Sequence, residues 1–304
     1  MINFRVFSES ICGISHRKKN LPCQDHSGNL EFDNVQMIAV ADGHGGSNYF
    51  RSQIGSKLAI NTAFTQAMIF CKEIEDSEEF SDNGIKNFLH SIYEQWLSAV
   101  KKDWYARLPN IFEEPRWQYV DEEYKNYFMS TDTKISESFI PEAYGTTLIC
   151  AISIGKQILI VQIGDGSCVV LQRNGEFKNP VPIDPNNFLN VTSSLCEKDA
   201  LQKFRYVVLD NKEDYPLSPI AIFLSTDGVD DCYPHYENQK YLYNLYGNII
   251  IENIIEKGFC DTEKELRETF LESISDESSH DDISLSYMMT ENIELLKNVL
   301  AHKN

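Results

Sequence analysis

The sequence has few basic residues for its length and no long hydrophobic run. Lys and Arg number 27 against 46 Asp and Glu in 304 residues, so the formal net charge is −19. A surface of this sign repels phosphate backbones and anionic lipids, which argues against nucleic-acid and membrane-surface binding. No apolar stretch could span a bilayer, and the N-terminus lacks a signal-peptide pattern. We therefore expect a cytoplasmic protein without nucleic-acid or membrane partners.

Disulfide and nucleotide-binding motifs are also absent. The eight cysteines form no Cys-x-x-Cys pair, and several lie within apolar runs, so we expect buried thiols in a reducing compartment. The chain contains no Gly-x-x-x-x-Gly-Lys loop for nucleotide phosphates and no Asp-x-Asp-x-Asp-Gly run of an EF-hand. With 42% hydrophobic residues, the composition is that of an ordinary globular protein.

Hydrophobic periodicity predicts helices early in the chain and strands in its middle. The pattern favours an antiparallel α+β fold, and we expect one domain over residues 1–304 with a helical or irregular insert at about 72–143. Helical spacing occurs at residues 50–69, 85–108, 262–274 and 291–302. Strand-like runs occur at residues 1–11, 34–41, 204–209, 220–224 and 283–288, and those at 146–153, 157–163 and 167–173 are typical of an antiparallel meander.

Aspartate recurs where the predicted strands begin or end. Strand ends on one rim of a sheet bring distant residues together, and a group of carboxylates cannot stay unpaired there. A divalent cation such as Mg²⁺ or Mn²⁺, which prefers oxygen ligands, is the natural partner. Asp-Gly follows an apolar run at Asp42-Gly43, Asp165-Gly166 and Asp227-Gly228, while Gln24-Asp25 and Asp281-Asp282 precede strands.

Each of these motifs also has an ordinary structural interpretation. Asp165-Gly166 between two apolar strands is typical of a hairpin turn, and Asp227-Gly228 forms a turn as readily as a ligand pair. Asp281-Asp282 fits a solvated connector. Residues 42–46, with three glycines around a histidine, fit a plain helix-entry loop less well. None of these interpretations predicts an aspartate at every site.

Taken in order, the motifs resemble those of the metal-dependent protein phosphatases of type 2C, in particular their bacterial branch. The resemblance covers residues 24–284, nearly the whole chain. The Asp-Gly-His-Gly-Gly motif at residues 42–46 is specific, and the others gain weight from their order. The remaining motifs are Ser15-His16, Pro22-Cys23-Gln24-Asp25, Gly145-Thr146-Thr147, Ile163-Gly164-Asp165-Gly166-Ser167, Ser225-Thr226-Asp227-Gly228-Val229-Asp230-Asp231 and Asp281-Asp282-Ile283-Ser284.

The resemblance implies a central β-sandwich of two antiparallel sheets, flanked by helices on both faces. It implies two Mg²⁺ or Mn²⁺ ions in a cleft at one end of the sandwich, with a third, weaker ion beside them. Asp42 would bridge the two ions, and the Gly43 carbonyl would reach the second. Asp227 and Asp281 would hold the first ion, and Asp165 would match the aspartate of the third.

The remaining metal positions depart in part from the family pattern. Gln24 stands where the family commonly has Glu, and with Asp25 it is expected beside the second ion, where a neutral amide would bind more weakly. Asp282 stands where the family usually has Asn, so we expect it outside the ligand set.

The resemblance also implies the reaction. A hydroxide bridging the two ions would attack the phosphorus of a phosphomonoester, and His44 would protonate the leaving alkoxide as general acid. The substrate would be a phosphoserine or phosphothreonine protein, phosphorylated by an opposing kinase.

A phosphate-binding residue is missing at its usual place. Asn20 replaces the arginine with which the family usually holds the substrate phosphate. The basic residues just before it are expected to supply the charge, although a solvated basic loop explains any single one equally well. They are His16, Arg17, Lys18 and Lys19.

Two alternatives remain open from the sequence. Gln24 and Asn20 would suit a pseudophosphatase that binds phosphoproteins with little turnover, whereas the presence of Asp42, His44 and Asp227 argues against it. A generic metal-binding or Ca²⁺-binding scaffold is weakened by the absence of an EF-hand loop.

Overall fold

Ten strands form the framework of the part of the chain that is described. The structure is a computed structural model, and it describes residues 2–74, 79–108, 114, 116–185 and 192–301. The strands are β1 (Phe4–Ile11), β2 (His26–Phe32), β3 (Val35–Ala41), β4 (Leu148–Ile154), β5 (Gln157–Ile163), β6 (Ser167–Gln172), β7 (Phe177–Lys178), β8 (Arg205–Asp210), β9 (Pro219–Ser225) and β10 (Ile283–Thr290).

These strands form two antiparallel sheets of five strands each. The first has the order β1-β10-β9-β6-β7 and the second β2-β3-β4-β5-β8. His26 pairs with Ala41 across β2 and β3, and Leu285 pairs with Ser225 across β10 and β9. The register therefore places the residues that precede β2 and β10 beside those that follow β3 and β9. The predicted α+β fold with two antiparallel sheets is confirmed.

The predicted three-strand meander is wrong at its third strand. β4 and β5 pair as expected, with Leu148 opposite Ile163, but β6 leaves this sheet and pairs with β9 and β7 in the other. Asp165-Gly166 therefore connects the two sheets and is not a hairpin turn. A local turn signal cannot distinguish the two cases, because the true partners of β5 and β6 lie far away in sequence. The periodicity also misses β2, in which Leu30 and Phe32 are the large apolar residues.

Alternation along the strands builds two apolar layers. In β4, Ile149 and Ala151 face the core between the sheets, whereas Cys150 and Ile152 face the helices that cover the second sheet. All seven residues of β4 are buried. A strand that is buried on both faces reads as a continuous apolar run, which explains why the central strands are the easiest to predict.

Helices cover the outer face of each sheet. α2 and α3 pack on the second sheet, and residues of α8, α9 and α12 complete the core beneath the first. The α-helices are α1 (Ile14–Lys18), α2 (Ser52–Glu73), α3 (Asp82–Ala106), α4 (Glu122–Phe128), α5 (Thr133–Phe139), α6 (Ala200–Lys203), α7 (Asp227–Asp230), α8 (Asn238–Asn244), α9 (Glu252–Lys257), α10 (Phe259–Glu265), α11 (Leu271–Ile274) and α12 (Ile293–Ala301). Shorter 3-10 segments are Trp117–Tyr119, Ile140–Tyr144 and His235–Glu237, and π-helical turns are Leu245–Ile251, Leu266–Phe270 and Ser275–Ser279.

Part of the expected insert belongs to the main layers. The Ser81 hydroxyl accepts a hydrogen bond from the Gly84 N–H at 3.1 Å and caps α3, which buries Trp96 against α2. Residues 75–78, 109–113, 115 and 302–304 of the predicted segments lie outside the described residues. The division into one domain with an insert stays a prediction. Within the described ranges, no helix combines the length and apolar character needed to cross a membrane.

Candidate active site

The recurring aspartates meet at one end of the sandwich. Asp42 follows β3, Asp227 follows β9, and Asp165 lies between β5 and β6. Asp25 directly precedes β2, and Asp281 precedes β10. The antiparallel register brings these strand ends to the same rim, as the aspartate pattern predicts.

The rim opens into a cleft of about 1030 Å³. All five aspartates line it, as do Gln24, Gly43 and both predicted histidines. Arg17 and Lys19 do not. The lining is completed by residues not predicted as site residues: Gly45, Gly46, Tyr49, Thr192, Glu197, Asp230, Asp231, His235, Asn238 and Asp282.

Three carboxylates lie close enough together to share one cation. Single oxygens of Asp42, Asp165 and Asp227 lie within 4.8 Å of one another. Among the described residues, no Lys, Arg or His forms an ion pair with any of the three. Carboxylates held at this spacing repel one another strongly, because water is only partly available to screen them. The arrangement therefore calls for a cation.

Burial and mutual repulsion both raise the pKa values of the clustered aspartates. Repulsion from Asp42 and then burial raise the pKa of Asp227 to about 10. Burial and repulsion from Asp25 raise the pKa of Asp42 well above its ordinary value, and burial does the same for Asp25. Without a cation, the cluster therefore holds protons at neutral pH that free carboxyl groups would release.

Asp42 is held in place by the Gly145-Thr146-Thr147 step. Its backbone N–H donates to Thr147 Oγ1 at 3.0 Å, and its carbonyl accepts from the Thr147 N–H and from Thr146 Oγ1, both at 2.8 Å. Gly43 then forms an isolated bridge with Thr146. A Cβ at Gly43 would lie 2.6 Å from the Gln24 carbonyl oxygen, so only glycine fits between these backbones.

Thr226 ties Asp25 to the start of β10. Its hydroxyl donates to Asp25 Oδ2 at 2.6 Å and accepts from the Ser284 N–H at 2.9 Å. Thr226 stands between β9 and Asp227, so one side chain joins the Asp25, Asp227 and Asp281-Asp282 motifs. No sequence signal marks this role, since a threonine at the end of a buried strand is common.

Gln24 is buried and oriented by its amide nitrogen. Nε2 donates to the Ser52 hydroxyl at 2.5 Å and to the His44 carbonyl at 3.0 Å. The side-chain oxygen makes no hydrogen bond within the described ranges. The side-chain oxygen is the only atom of this amide that could bind a cation, and these hydrogen bonds do not use it.

His44 lines the cleft and lies against Tyr49. The two rings meet edge to face with their centroids 4.8 Å apart, and the backbone N–H of His44 donates to the Gly145 carbonyl at 3.1 Å. Burial lowers the pKa of His44, so the imidazole is mostly neutral at neutral pH.

A second group of side chains joins His16, Asp281 and Asp282, one atom of each lying within 4.8 Å of the others. His16 Nδ1 lies 2.9 Å from Asp282 Oδ2, and this interaction raises the pKa of His16. Asp282 is buried, and its carboxylate also accepts from the backbone N–H groups of Gly13 at 2.7 Å and Gln24 at 2.6 Å. Burial alone would raise the pKa of Asp282, but these partners outweigh it and lower the value.

The other basic residues of this segment point elsewhere. The Arg17 guanidinium pairs with Glu272 and Asp276, and Lys19 is exposed outside the cleft. Successive residues of a helix point about 100° apart, so one turn of α1 presents His16 to the cleft and Arg17 to α11 and the turn after it. The phosphate-binding roles of Arg17 and Lys19 stay predictions that this geometry does not favour.

The Asp227 motif supplies two further cleft residues. Asp230 is nearly enclosed, accepts from the Ser167 hydroxyl at 2.6 Å, and has a pKa raised by burial to about 7. Burial also raises the pKa of Asp231. Their positions one turn after Asp227 are visible in the sequence, because residues three and four apart share one side of a helix.

The family follows from comparison of the sequence with known families. The family model described as protein phosphatase 2C matches residues 12–270. This chain belongs to the protein phosphatase 2C family. It is therefore a hydrolase from a metal-dependent family that acts on phosphoproteins, and the family predicted from the motif series is confirmed. Among curated protein sequences, none matches the chain.

Solved structures of the family share the fold at low sequence identity. The serine/threonine phosphatase of S. agalactiae has a TM-score of 0.53 at 13% identity, covering 95% of this chain and 100% of its own. A serine/threonine phosphatase from Staphylococcus aureus has a TM-score of 0.53 at 14% identity, with 96% of each chain covered. A sex-determining protein of C. elegans has a TM-score of 0.57 at 13% identity, covering 99% of this chain and 68% of its own. These likenesses support the predicted sandwich.

Proposed function

We propose that this phosphatase hydrolyses phosphoserine and phosphothreonine in proteins and depends on Mg²⁺ or Mn²⁺ held by its aspartates. The observation that carries the proposal is the group of Asp42, Asp165 and Asp227, whose oxygens lie within 4.8 Å without a basic partner among the described residues. A hard divalent cation would offset both the burial and the repulsion that raise the pKa values of Asp42 and Asp227.

The residues present fit such ions. All the candidate donors are oxygens, which suits Mg²⁺ and Mn²⁺ and disfavours thiolate-loving metals. Following the family pattern, two ions would be held, with Asp42 as a ligand of both, Asp227 and Asp281 on the first, and the Gly43 carbonyl on the second. Asp281 groups with His16 and Asp282 and not with the three-carboxylate cluster, so its place on the first ion rests on the resemblance. Beside the second ion, Asp25 and the unbonded oxygen of Gln24 are the remaining donors. Asp165 would hold a third, weaker ion.

Each side chain around the ions would have a definite task. The bound ions supply an activated water and neutralise charge on the phosphate. His16 would hold the substrate phosphate, because it faces the cleft while Asp282 keeps its ring fixed and favours its charged form. His44 would give a proton to the leaving serine or threonine oxygen from its protonated form, which is the minor form at neutral pH because burial lowers its pKa, and the Tyr49 ring packs edge to face on it.

The expected partners follow from this chemistry. The substrate is a phosphoprotein, and a protein kinase that phosphorylates the same serine or threonine acts in opposition. The acidic surface means that a phosphate reaches the cleft against an unfavourable field. The ions and His16 supply the local positive charge that overcomes it.

The competing function is a pseudophosphatase that binds phosphoproteins without turning them over. Gln24 motivates it, since an amide oxygen binds a cation more weakly than a carboxylate. The intact Asp42, Asp165 and Asp227 group favours turnover, because a pure binding module has no need to keep three mutually repelling carboxylates.

Hydrolysis of para-nitrophenyl phosphate tests the proposal. We expect turnover with Mn²⁺, none with EDTA, and loss of turnover in Asp42→Asn. Asp214→Asn is the matched control, because Asp214 is exposed in the turn before β9, at the end of that strand opposite to Asp227. Folded, Mn²⁺-loaded protein that turns over neither this ester nor a phosphopeptide would refute the proposal and favour the binding module.

A further inference from the structure

Arg116 is a buried arginine that lies behind the cleft and does not line it. Only 8% of its surface is exposed. One terminal nitrogen, Nη1, donates to the Tyr49 carbonyl at 3.1 Å and to Ser52 Oγ at 3.2 Å. The other, Nη2, donates to the carbonyls of Gly45 at 3.1 Å and Gly46 at 3.2 Å. A single guanidinium thus joins both ends of the loop at residues 45–52, which connects the Asp-Gly-His motif to α2.

Burying this arginine costs desolvation free energy that an apolar side chain in the same place would not. Burial lowers the pKa of Arg116, and the described residues contain no carboxylate that forms an ion pair with it. Among the described residues, its hydrogen bonds go to three backbone carbonyls and a hydroxyl, and the charge of the nearby Glu114 offsets part of the effect of burial. An apolar side chain of similar volume would fill the space with a smaller desolvation penalty. The fork of donors is therefore suited to fixing the directions of these carbonyls.

The contacts continue from Arg116 into the cleft. Ser52 Oγ, which accepts from Arg116, also accepts from Gln24 Nε2 at 2.5 Å. The same amide nitrogen donates to the His44 carbonyl at 3.0 Å. The Ser52 hydroxyl that Arg116 contacts therefore holds Gln24 directly and His44 through Gln24, and the carbonyls of Gly45 and Gly46 are held by Arg116 itself.

The segment that carries Arg116 is anchored on α2 at neighbouring residues. Glu114 Oε2 accepts from Arg51 Nε at 2.9 Å, just before the first residue of α2. The Trp117 ring packs edge to face on Phe50, with centroids 5.1 Å apart. Both contacts are with residues of the loop itself, so the segment around Arg116 and the loop at residues 45–52 are held against each other.

We propose that Arg116 is a positioning residue of this phosphatase, which fixes the loop at residues 45–52 and thereby the placement of His44 and Gln24. The expected effect of Arg116 on catalysis rests on the proposed function, whereas its expected effect on the order of the loop does not. Displacement of reacting groups by about 1 Å can cost on the order of a hundredfold in rate. Arg116 contacts the backbone of Gly45, Gly46 and Tyr49 from behind and neither lines the cleft nor touches its carboxylates, so substrate affinity is expected to change little.

Kinetics with Mn²⁺ and para-nitrophenyl phosphate give the first test. In Arg116→Gln we expect kcat to fall by about tenfold to a hundredfold, with KM changed by less than about twofold. Arg116→Lys keeps the charge but loses the fork, so its kcat is expected to fall as well. The control is Trp117→Phe in the same segment, whose indole Nε1 has no hydrogen-bond partner. It is expected to lower the melting temperature and leave kcat within about twofold.

Amide hydrogen exchange gives a second test that does not depend on activity. The peptide covering residues 43–52 is expected to exchange faster in Arg116→Gln than in wild type and not in Trp117→Phe. An unchanged kcat or unchanged exchange in Arg116→Gln overturns the proposal, as does an equal loss of kcat in Trp117→Phe. If Arg116→Gln does not fold, Arg116→Lys decides by the same two readouts. If wild type lacks activity, the proposed function fails and hydrogen exchange still decides the role of Arg116.

Discussion

Replacing Asp42 by Asn is expected to stabilise the metal-free protein and to destabilise the metal-loaded one relative to wild type. Asp42 lies within 4.8 Å of Asp165 and Asp227, and its pKa is raised well above the ordinary value of 3.8. A raised pKa means that the folded protein keeps a proton that the unfolded chain releases. Stability is then complete below about pH 4 and is lost progressively as the pH rises toward the folded-state pKa.

The size of this effect follows from the same shift. At pH 7, about three units above 3.8, a carboxyl group kept protonated by the fold costs at most about 4 kcal/mol, since one pKa unit is worth about 1.4 kcal/mol. The cleft admits water at Asp42, which reduces the penalty. We therefore expect Asp42→Asn in EDTA to exceed wild type by about 2 kcal/mol in unfolding free energy, or several degrees in melting temperature.

Thermal unfolding from about pH 5 to about pH 8 tests both expectations. Measurements in EDTA show whether Asp42→Asn is more stable than wild type, and measurements in Mn²⁺ show whether it is less stable. In EDTA, wild type is expected to lose stability with rising pH more steeply than Asp42→Asn. Added Mn²⁺ is expected to stabilise wild type and to reverse the order, because the variant lacks the shared ligand. Asp214→Asn serves as control and is expected to follow wild type throughout. A lower stability of Asp42→Asn in EDTA at pH 8, or equal pH slopes, would refute the electrostatic reasoning.

The remaining predictions concern the cleft residues. His16→Gln is expected to raise KM for a phosphopeptide. Arg17→Gln is expected to leave KM unchanged, because the Arg17 guanidinium already pairs with Glu272 and Asp276. Steady-state kinetics of both variants decide which residue holds the phosphate. His44→Ala is expected to slow hydrolysis of an alkyl phosphate more than that of an aryl phosphate, because a phenolate leaves without a proton; equal losses would remove it as general acid. Gly228→Ala places a Cβ 2.0 Å from the Asp282 carbonyl oxygen and is expected to cost about 1–3 kcal/mol, measured by thermal unfolding.

The sequence predicts the site better than it predicts the path of the chain. Asp42, Asp165 and Asp227 each follow an apolar run. The ends of β3 and β5 meet at the start of β4, and the end of β9 lies beside the start of β6, so the observed register brings the three to one rim. Asp165 follows β5, whose pairing with β4 is predicted correctly. The correct grouping therefore survives the wrong placement of β6. Strand order itself depends on pairings between residues far apart in sequence, such as Val169 with Phe223, for which the local pattern carries no signal.

Which of several neighbouring residues enters the cleft depends on the three-dimensional placement of the helices and strands, which the sequence pattern does not show. A basic segment before Asp25 is visible, but only the orientation of α1 decides that His16 and not Arg17 enters the cleft. The role of Arg116 is harder to predict. Its segment has no hydrophobic periodicity, and its partners are mainly backbone carbonyls, which every residue has. Asp230 was within reach, since it lies one helical turn from Asp227.

The acidic surface and the metal-binding rim act on a phosphate substrate through the same electrostatic field. A chain with a formal net charge of −19 repels a phosphate substrate, and the three aspartates at the rim are part of that count. Bound cations would reverse the sign of the field at this rim while leaving the rest of the surface acidic. Metal would then govern whether phosphate enters at all as well as whether it is hydrolysed. His16 alone, partly neutralised by Asp282, is too weak a positive centre to hold a phosphate there, which is why we connect substrate binding and turnover to the same ions.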